Sequence, residues 1–118
     1  MKIVYASRTG NVESFVMKLG LSDTLEIEKG NEVLAEEFVL ITYTDGDGEI
    51  PVEVEAFLGN NANWIRGVAG SGDREYGDSY CLAATSIADQ YGVPVLLLFE
   101  QDGSDQDVHA FLEALESI

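Results

Sequence analysis

The chain is poor in the residues that let small proteins staple themselves or act covalently. Cys81 is its only cysteine, which excludes an internal disulfide and a cysteine-based zinc site. The residues after it, Leu82 to Ile87, include no arginine to hold a phosphate, so Cys81 reads as a small buried residue rather than a phosphatase nucleophile. His109 is the only histidine and lies among acidic residues, where a solvated ring is expected. Basic residues number six against 22 acidic ones, a net charge of −16. That deficit makes nucleic acid and anionic membrane surfaces poor partners, whereas a partner with a basic face would be steered in. The longest apolar run, Val93 to Phe99, is far short of the about 20 residues that span a bilayer. The apolar stretch at the start is too short for a secretory signal. A reducing cytoplasm is the expected compartment. Neither a Gly-x4-Gly-Lys-Ser/Thr loop nor a Gly-x-Gly-x-x-Gly turn occurs. No acid–base pair of side chains stands out, so any redox chemistry would belong to a bound cofactor.

What is present is a regular alternation. At 118 residues, 46% of them hydrophobic, the chain is expected to be one folded domain over 1–118. Strands are expected at Lys2–Ala6, Thr24–Glu28, Glu37–Tyr43, Arg66–Gly70 and Pro94–Glu100. Several of these are continuous apolar runs, as befits strands buried on both faces. Helices are expected at Asn11–Leu19, Val52–Asn60, Asp78–Tyr91 and Asp105–Ser117, from apolar residues recurring at three- and four-residue spacing. In the third, Leu82, Ala83, Ser86, Ile87, Ala88 and Tyr91 share one face. Pro51 suits the start of the second helix and Gly92 the end of the third. Such alternation argues for an α/β fold with a parallel sheet and helices on both faces. Ligands of such sheets bind beyond the carboxyl ends of the strands. That rule selects three loops, Ser7–Asn11, Thr42–Pro51 and Gly70–Tyr80, all rich in Gly, Ser, Thr and Asp.

The first loop, Ser7-Arg8-Thr9-Gly10-Asn11, stands between a strand and a helix start. The first amides of a helix have no intrahelical partner, and the peptide dipoles add positive charge there. Ser7 and Thr9 add hydroxyl donors, Gly10 permits a tight turn, and Asn11 is placed to cap the helix. A phosphate held this way needs no lysine. The second loop, Thr42-Tyr43-Thr44-Asp45-Gly46-Asp47-Gly48-Glu49-Ile50-Pro51, has two glycines that let a peptide turn over cheaply. It fails as a calcium loop, because Ile50 stands where glycine is required and Ala56 where glutamate is. The third loop offers backbone amides, Ser71, and the flat face of Tyr76 for stacking.

These segments together resemble a known family. Ser7-Arg8-Thr9-Gly10-Asn11-Val12, Ile41-Thr42-Tyr43-Thr44, Gly46-x-Gly48 with Pro51, Gly70-Ser71-Gly72 with Gly77-Asp78, and Phe99-Glu100 with Gly103 occur in this order. They resemble the NrdI family, flavodoxin-like activators of class Ib ribonucleotide reductase. The resemblance implies a flavodoxin-like three-layer sandwich with a five-stranded parallel sheet in the order 2-1-3-4-5. It implies FMN as cofactor, with Ser7, Arg8, Thr9, Gly10, Asn11 and Val12 at the phosphate. Thr42, Tyr43, Thr44, Gly46, Asp47 and Gly48 would border one side of the flavin. Ser71, Gly72, Asp73, Tyr76, Gly77 and Asp78 would border the other. No metal site is implied on this chain. The implied job is to make superoxide from reduced FMN and oxygen, and to supply it to the radical-bearing small subunit of the reductase. A flavin-reducing electron donor is then a second partner. Compared with relatives, Asp47 and Tyr76 are departures, and Asp45, Asp47 and Glu49 are expected to bring negative charge beside the flavin. Two other readings stand beside this one: a short-chain flavodoxin carrying single electrons, and a cofactor-free binding domain on the same fold.

Overall fold

The computed structural model describes all of residues 1–118. Five strands, β1 (Lys2–Tyr5), β2 (Thr24–Glu26), β3 (Phe38–Thr42), β4 (Ile65–Gly72) and β5 (Val95–Glu100), pair in parallel in the order β2-β1-β3-β4-β5. The expected order 2-1-3-4-5 is therefore the observed one. The helices are α1 (Asn11–Leu19), α2 (Val52–Asn61), α3 (Leu82–Tyr91) and α4 (Asp105–Glu116).

Neighbouring residues of the strands point to opposite faces, and this divides the core in two. Val4, Leu40 and Val68 join Val54, Phe57, Leu58, Ala84 and Ile87 on the α2–α3 side. Ile3, Val39, Ile41 and Ala69 join Val12, Phe15, Val16 and Phe111 on the α1–α4 side. Phe15 stacks on Phe99 at 4.0 Å and meets Phe111 edge-on at 5.8 Å, which locks α1, β5 and α4 together. β3, at the centre, is buried at every position, as its unbroken apolar run requires. β5 forms an edge, and Val95 is exposed.

Most boundaries lie within one residue of expectation, β4 runs two residues further, to Gly72, and two other differences have identifiable reasons. The third helix begins at Leu82, not Asp78. Gly77 (φ 57°, ψ −118°) interrupts a pair of short 3₁₀ turns over Arg74–Ser79, and Cys81 in the left-handed region (φ 53°) separates them from α3. The inner face of α3 holds Ala83 and Ile87 as expected, with Ala88 and Tyr91 half-buried against the core, and it adds Ala84. The second strand ends at Glu26, not Glu28. The amides of Glu28, Lys29 and Gly30 turn away from the sheet and donate to the Glu32 carboxylate.

No helix joins β2 to β3, and Asn61 holds the irregular connection instead. Its side chain is 1% exposed, accepts from the Leu34 amide at 2.7 Å and donates to the carbonyls of Glu32 and Phe57, both at 2.9 Å. Asn61→Ala removes the side-chain partners of the part-buried Leu34 amide and Glu32 carbonyl, each worth about 1 kcal/mol. The expected loss is about 2 kcal/mol in urea unfolding.

Glu32 adds a pH dependence. Its burial would raise the carboxyl, but the surrounding amides outweigh that and hold it below its ordinary value. A depressed folded-state pKa gives stability that is present above the unfolded value and lost as pH falls through the folded one. The stability difference between the parent chain and Glu32→Gln is therefore expected to be full at pH 7 and to shrink below about pH 4; equal differences at pH 7 and pH 3 would contradict it.

Candidate cofactor site

At the carboxyl ends of the strands lies a cavity of about 350 Å³, within the size range of small-ligand sites. It is lined by residues of all three expected loops: Ser7, Arg8, Thr9, Asn11 and Val12; Tyr43, Thr44 and Gly46; and Ser71, Gly72, Asp73 and Tyr76. Ser79, Cys81 and Gln101 complete the lining.

The first loop forms the anion-receptive end. Gly10, at φ 94°, takes the turn into α1 that a side chain would resist. The helix spans Asn11–Leu19 as expected, but glycine occupies the capping position expected of Asn11. The capping role passes to Ser7, whose hydroxyl accepts from the Glu13 amide at 3.2 Å. The backbone amides of Arg8, Thr9, Gly10, Asn11 and Val12 donate to no protein acceptor. Five free amides, the helix dipole and the Thr9 hydroxyl thus converge where α1 begins.

The second loop is a tight hairpin. Asp45 and Glu49 exchange backbone hydrogen bonds at 2.8 and 2.7 Å, with Gly46 (φ 50°) and Gly48 (φ 123°) taking the turn between them. Arg8 reaches over from the first loop: Nη1 donates to Asp45 Oδ1 at 2.7 Å, and the guanidinium sits 5.4 Å from the centroid of Tyr43. Tyr43 donates its hydroxyl to Glu53 at 2.7 Å; burial, and then that carboxylate, push the phenol far above its ordinary value. The phenol is therefore a fixed neutral wall.

The third segment is fastened to the second. The Thr44 hydroxyl accepts from the Ala83 amide at 3.1 Å, capping α3 across 39 positions of sequence. The Ser79 hydroxyl donates to the Asp47 carbonyl at 2.9 Å. Tyr76 lies on the rim, 66% exposed. Cys81 is buried and its thiol faces the carbonyls of Gly70 and Phe99. Burial pushes that thiol up to about 11, so it stays protonated at neutral pH.

Six expected site residues are not in the lining. Thr42 is fully buried and turns its hydroxyl to the Tyr43 carbonyl. Gly10 contributes backbone alone, and Gly48 packs against Leu82. Asp47, Gly77 and Asp78 are exposed and lie outside the lining. The acidic residues near the cavity are placed differently from one another. Asp45 is neutralised by Arg8, and neither Asp47 nor Glu49 lines the cavity. Asp73 is the one carboxylate in the lining. Gln101 lies outside the three expected loops, in the turn after the last strand. The rule that selected the others, a loop at the carboxyl end of a parallel strand, applies to it equally.

This geometry can be set beside known proteins. The family described as NrdI Flavodoxin like matches residues 3–113. A protein named Protein NrdI from Bacillus licheniformis is 43% identical over 118 residues, covering all of this chain and 89% of that one. The chain belongs to the NrdI flavodoxin-like family. Among solved structures, a short-chain flavodoxin associated with a non-canonical PDU bacterial microcompartment superposes with a TM-score of 0.73 at 22% identity, covering 98% of this chain and 93% of that one. The Streptococcus pneumoniae TIGR4 flavodoxin superposes with a TM-score of 0.69 at 27% identity, covering 98% and 94%. Membership of a flavodoxin-like family implies a flavin cofactor. The cavity fits that class: free amides and hydroxyls at one end suit an anionic group, and Tyr43 and Tyr76 offer aromatic faces at the other segments.

Beside the cavity, the Tyr80 hydroxyl is buried without a hydrogen-bond partner; Arg74 lies over the ring, 5.6 Å from its centroid. An unpaired buried hydroxyl is a net cost. Tyr80→Phe is therefore expected to leave stability unchanged or raise it by about 1 kcal/mol in urea unfolding. A clear loss would show that the hydroxyl has a partner in solution.

Proposed function

We propose that this chain is an FMN-bearing activator of class Ib ribonucleotide reductase. The observation that carries the reading is the run of five unpartnered amides, Arg8 to Val12, opening into an aromatic-walled cavity in a chain of the NrdI family. These amides, with Ser7 and Thr9, would hold the phosphate monoester. Tyr43, Thr44 and Gly46 would border one side of the ring system, and Ser71, Gly72, Asp73 and Tyr76 the other. Thr42, Asp47, Gly48, Gly77 and Asp78 would act by shaping these loops, as none of them lines the cavity. Bound FMN, reduced by an electron donor, would supply superoxide from molecular oxygen to the radical-bearing small subunit of the reductase.

The protein's own part in this is positioning and electrostatics. Arg8 offsets the Asp45 carboxylate, so the hairpin presents less negative charge to the site than its sequence suggests. The buried thiol of Cys81 and the phenol of Tyr43 both stay protonated and so offer no competing thiolate or phenolate at the cavity wall. The net charge of −16 would favour a partner with a basic face and would repel an anionic product outward.

Two measurements test this. Titration of the purified chain with FMN is expected to give a yellow 1:1 complex. The reduced holoprotein, mixed with oxygen and a class Ib small subunit, is expected to produce a protein radical by electron paramagnetic resonance. Binding of FMN without radical formation would favour the one-electron carrier, and no binding at all would overturn the flavoprotein reading.

A further inference from the structure

Gln101 joins the first loop to the third through its side chain. It follows β5 in the left-handed region, φ 57°, one of two non-glycine residues so placed, and both line the cavity. Its backbone is held on two sides: its amide donates to the Gly72 carbonyl at 2.9 Å, and its carbonyl accepts from the Ser71 hydroxyl. This anchoring keeps the unusual φ, which a residue with a Cβ otherwise resists. Its side chain then reaches both ways. Oε1 accepts from Asn11 Nδ2 at 3.2 Å, and Nε2 donates to Asp73 Oδ2 at 3.4 Å.

The chemistry of that pairing is directional. Asp73 is the only carboxylate in the lining of a cavity whose other end is built for an anion. Its Oδ1 is occupied by the Glu75 amide at 2.9 Å, and its Oδ2 by Gln101. Asn11 stands at the first turn of α1, among the free amides. The Gln101 amide accepts from Asn11 and donates to Asp73 at once, through two atoms held apart in one plane. A carboxylate in place of the Gln101 amide could accept from Asn11 but would face Asp73 with like charge.

We infer that Gln101 is a positioning residue for the flavin phosphate, latching the first loop to the third and holding the Asp73 carboxylate away from the anion-receptive end. The inference rests on the FMN reading above and adds to it a fourth segment. It predicts a reversal that a general structural role does not. Gln101→Glu sets two carboxylates against each other. Adding Asp73→Asn swaps the amide and the carboxylate between the two positions. The introduced amide then donates to the introduced carboxylate, and the latch is rebuilt in reverse with the net charge of the parent chain.

The test is FMN affinity of the full chain, read by quenching of flavin fluorescence, with unfolding midpoints measured alongside. Gln101→Glu is expected to weaken FMN binding about tenfold, the scale of one lost hydrogen bond to a charged group. The double variant is expected to return to within about threefold of the parent, since only the direction of that bond changes. Gln101→Met, which keeps the length and drops both hydrogen bonds, is expected to weaken binding as well, and it serves where Gln101→Glu fails to fold. Parent-like affinity in both single variants overturns the inference and leaves the FMN reading intact. So does a double variant as weak as Gln101→Glu, because charge near the phosphate would then explain the loss without a latch. A parent chain that binds no FMN overturns both.

Discussion

Everything in this site depends on one constraint of parallel pairing. Strands that run the same way must each return by a crossover, so all of their carboxyl ends open at one edge of the sheet. Four connections, after β1, β3, β4 and β5, are thereby brought to a common rim although up to 90 positions separate their members, as Asn11 and Gln101 show. The amides at the start of α1 are free because of the same geometry. The helix has to begin abruptly over the end of β1, and Gly10 makes that turn without adding a side chain that would fill the space.

The loops are then held by contacts between them more than within them. Arg8 reaches Asp45, Thr44 caps α3, Ser79 holds the Asp47 carbonyl, and Gln101 spans Asn11 and Asp73. Each is a modest interaction at a partly exposed position, and each ties a different pair of segments. These contacts tie the walls of the cavity to one another, which lowers the cost of ordering them around a ligand. The buried aromatic cluster of Phe15, Phe99 and Phe111 supports this from below, since it fixes α1 and the end of β5 relative to one another.

Charge follows the same logic. The sequence is strongly acidic, and acidic residues crowd the second loop. Folding sorts them: Asp45 is paired, Asp47 and Glu49 are exposed and outside the lining, and Asp73 alone remains in it with both oxygens hydrogen-bonded. A net charge of −16 and an anion-receptive cavity are thus compatible, because backbone amides rather than lysines supply the positive end.

The order of strands and helices, the parallel sheet and three of the four rim segments could be read from the residues, because apolar periodicity and turn chemistry are local properties. So could the anion-receptive turn, which needs only a strand, a glycine and a helix start in succession. The family was legible too, from short motifs kept in order. Which hydroxyl caps α1, where the third helix starts, which carboxylates face the cavity and what Gln101 touches were not legible. Each of these turns on partners distant in the chain or on a backbone angle set by packing. Local preference determined the elements; only the tertiary structure decided which side chains meet, because hydrogen bonds between loops form after the sheet has brought their ends together.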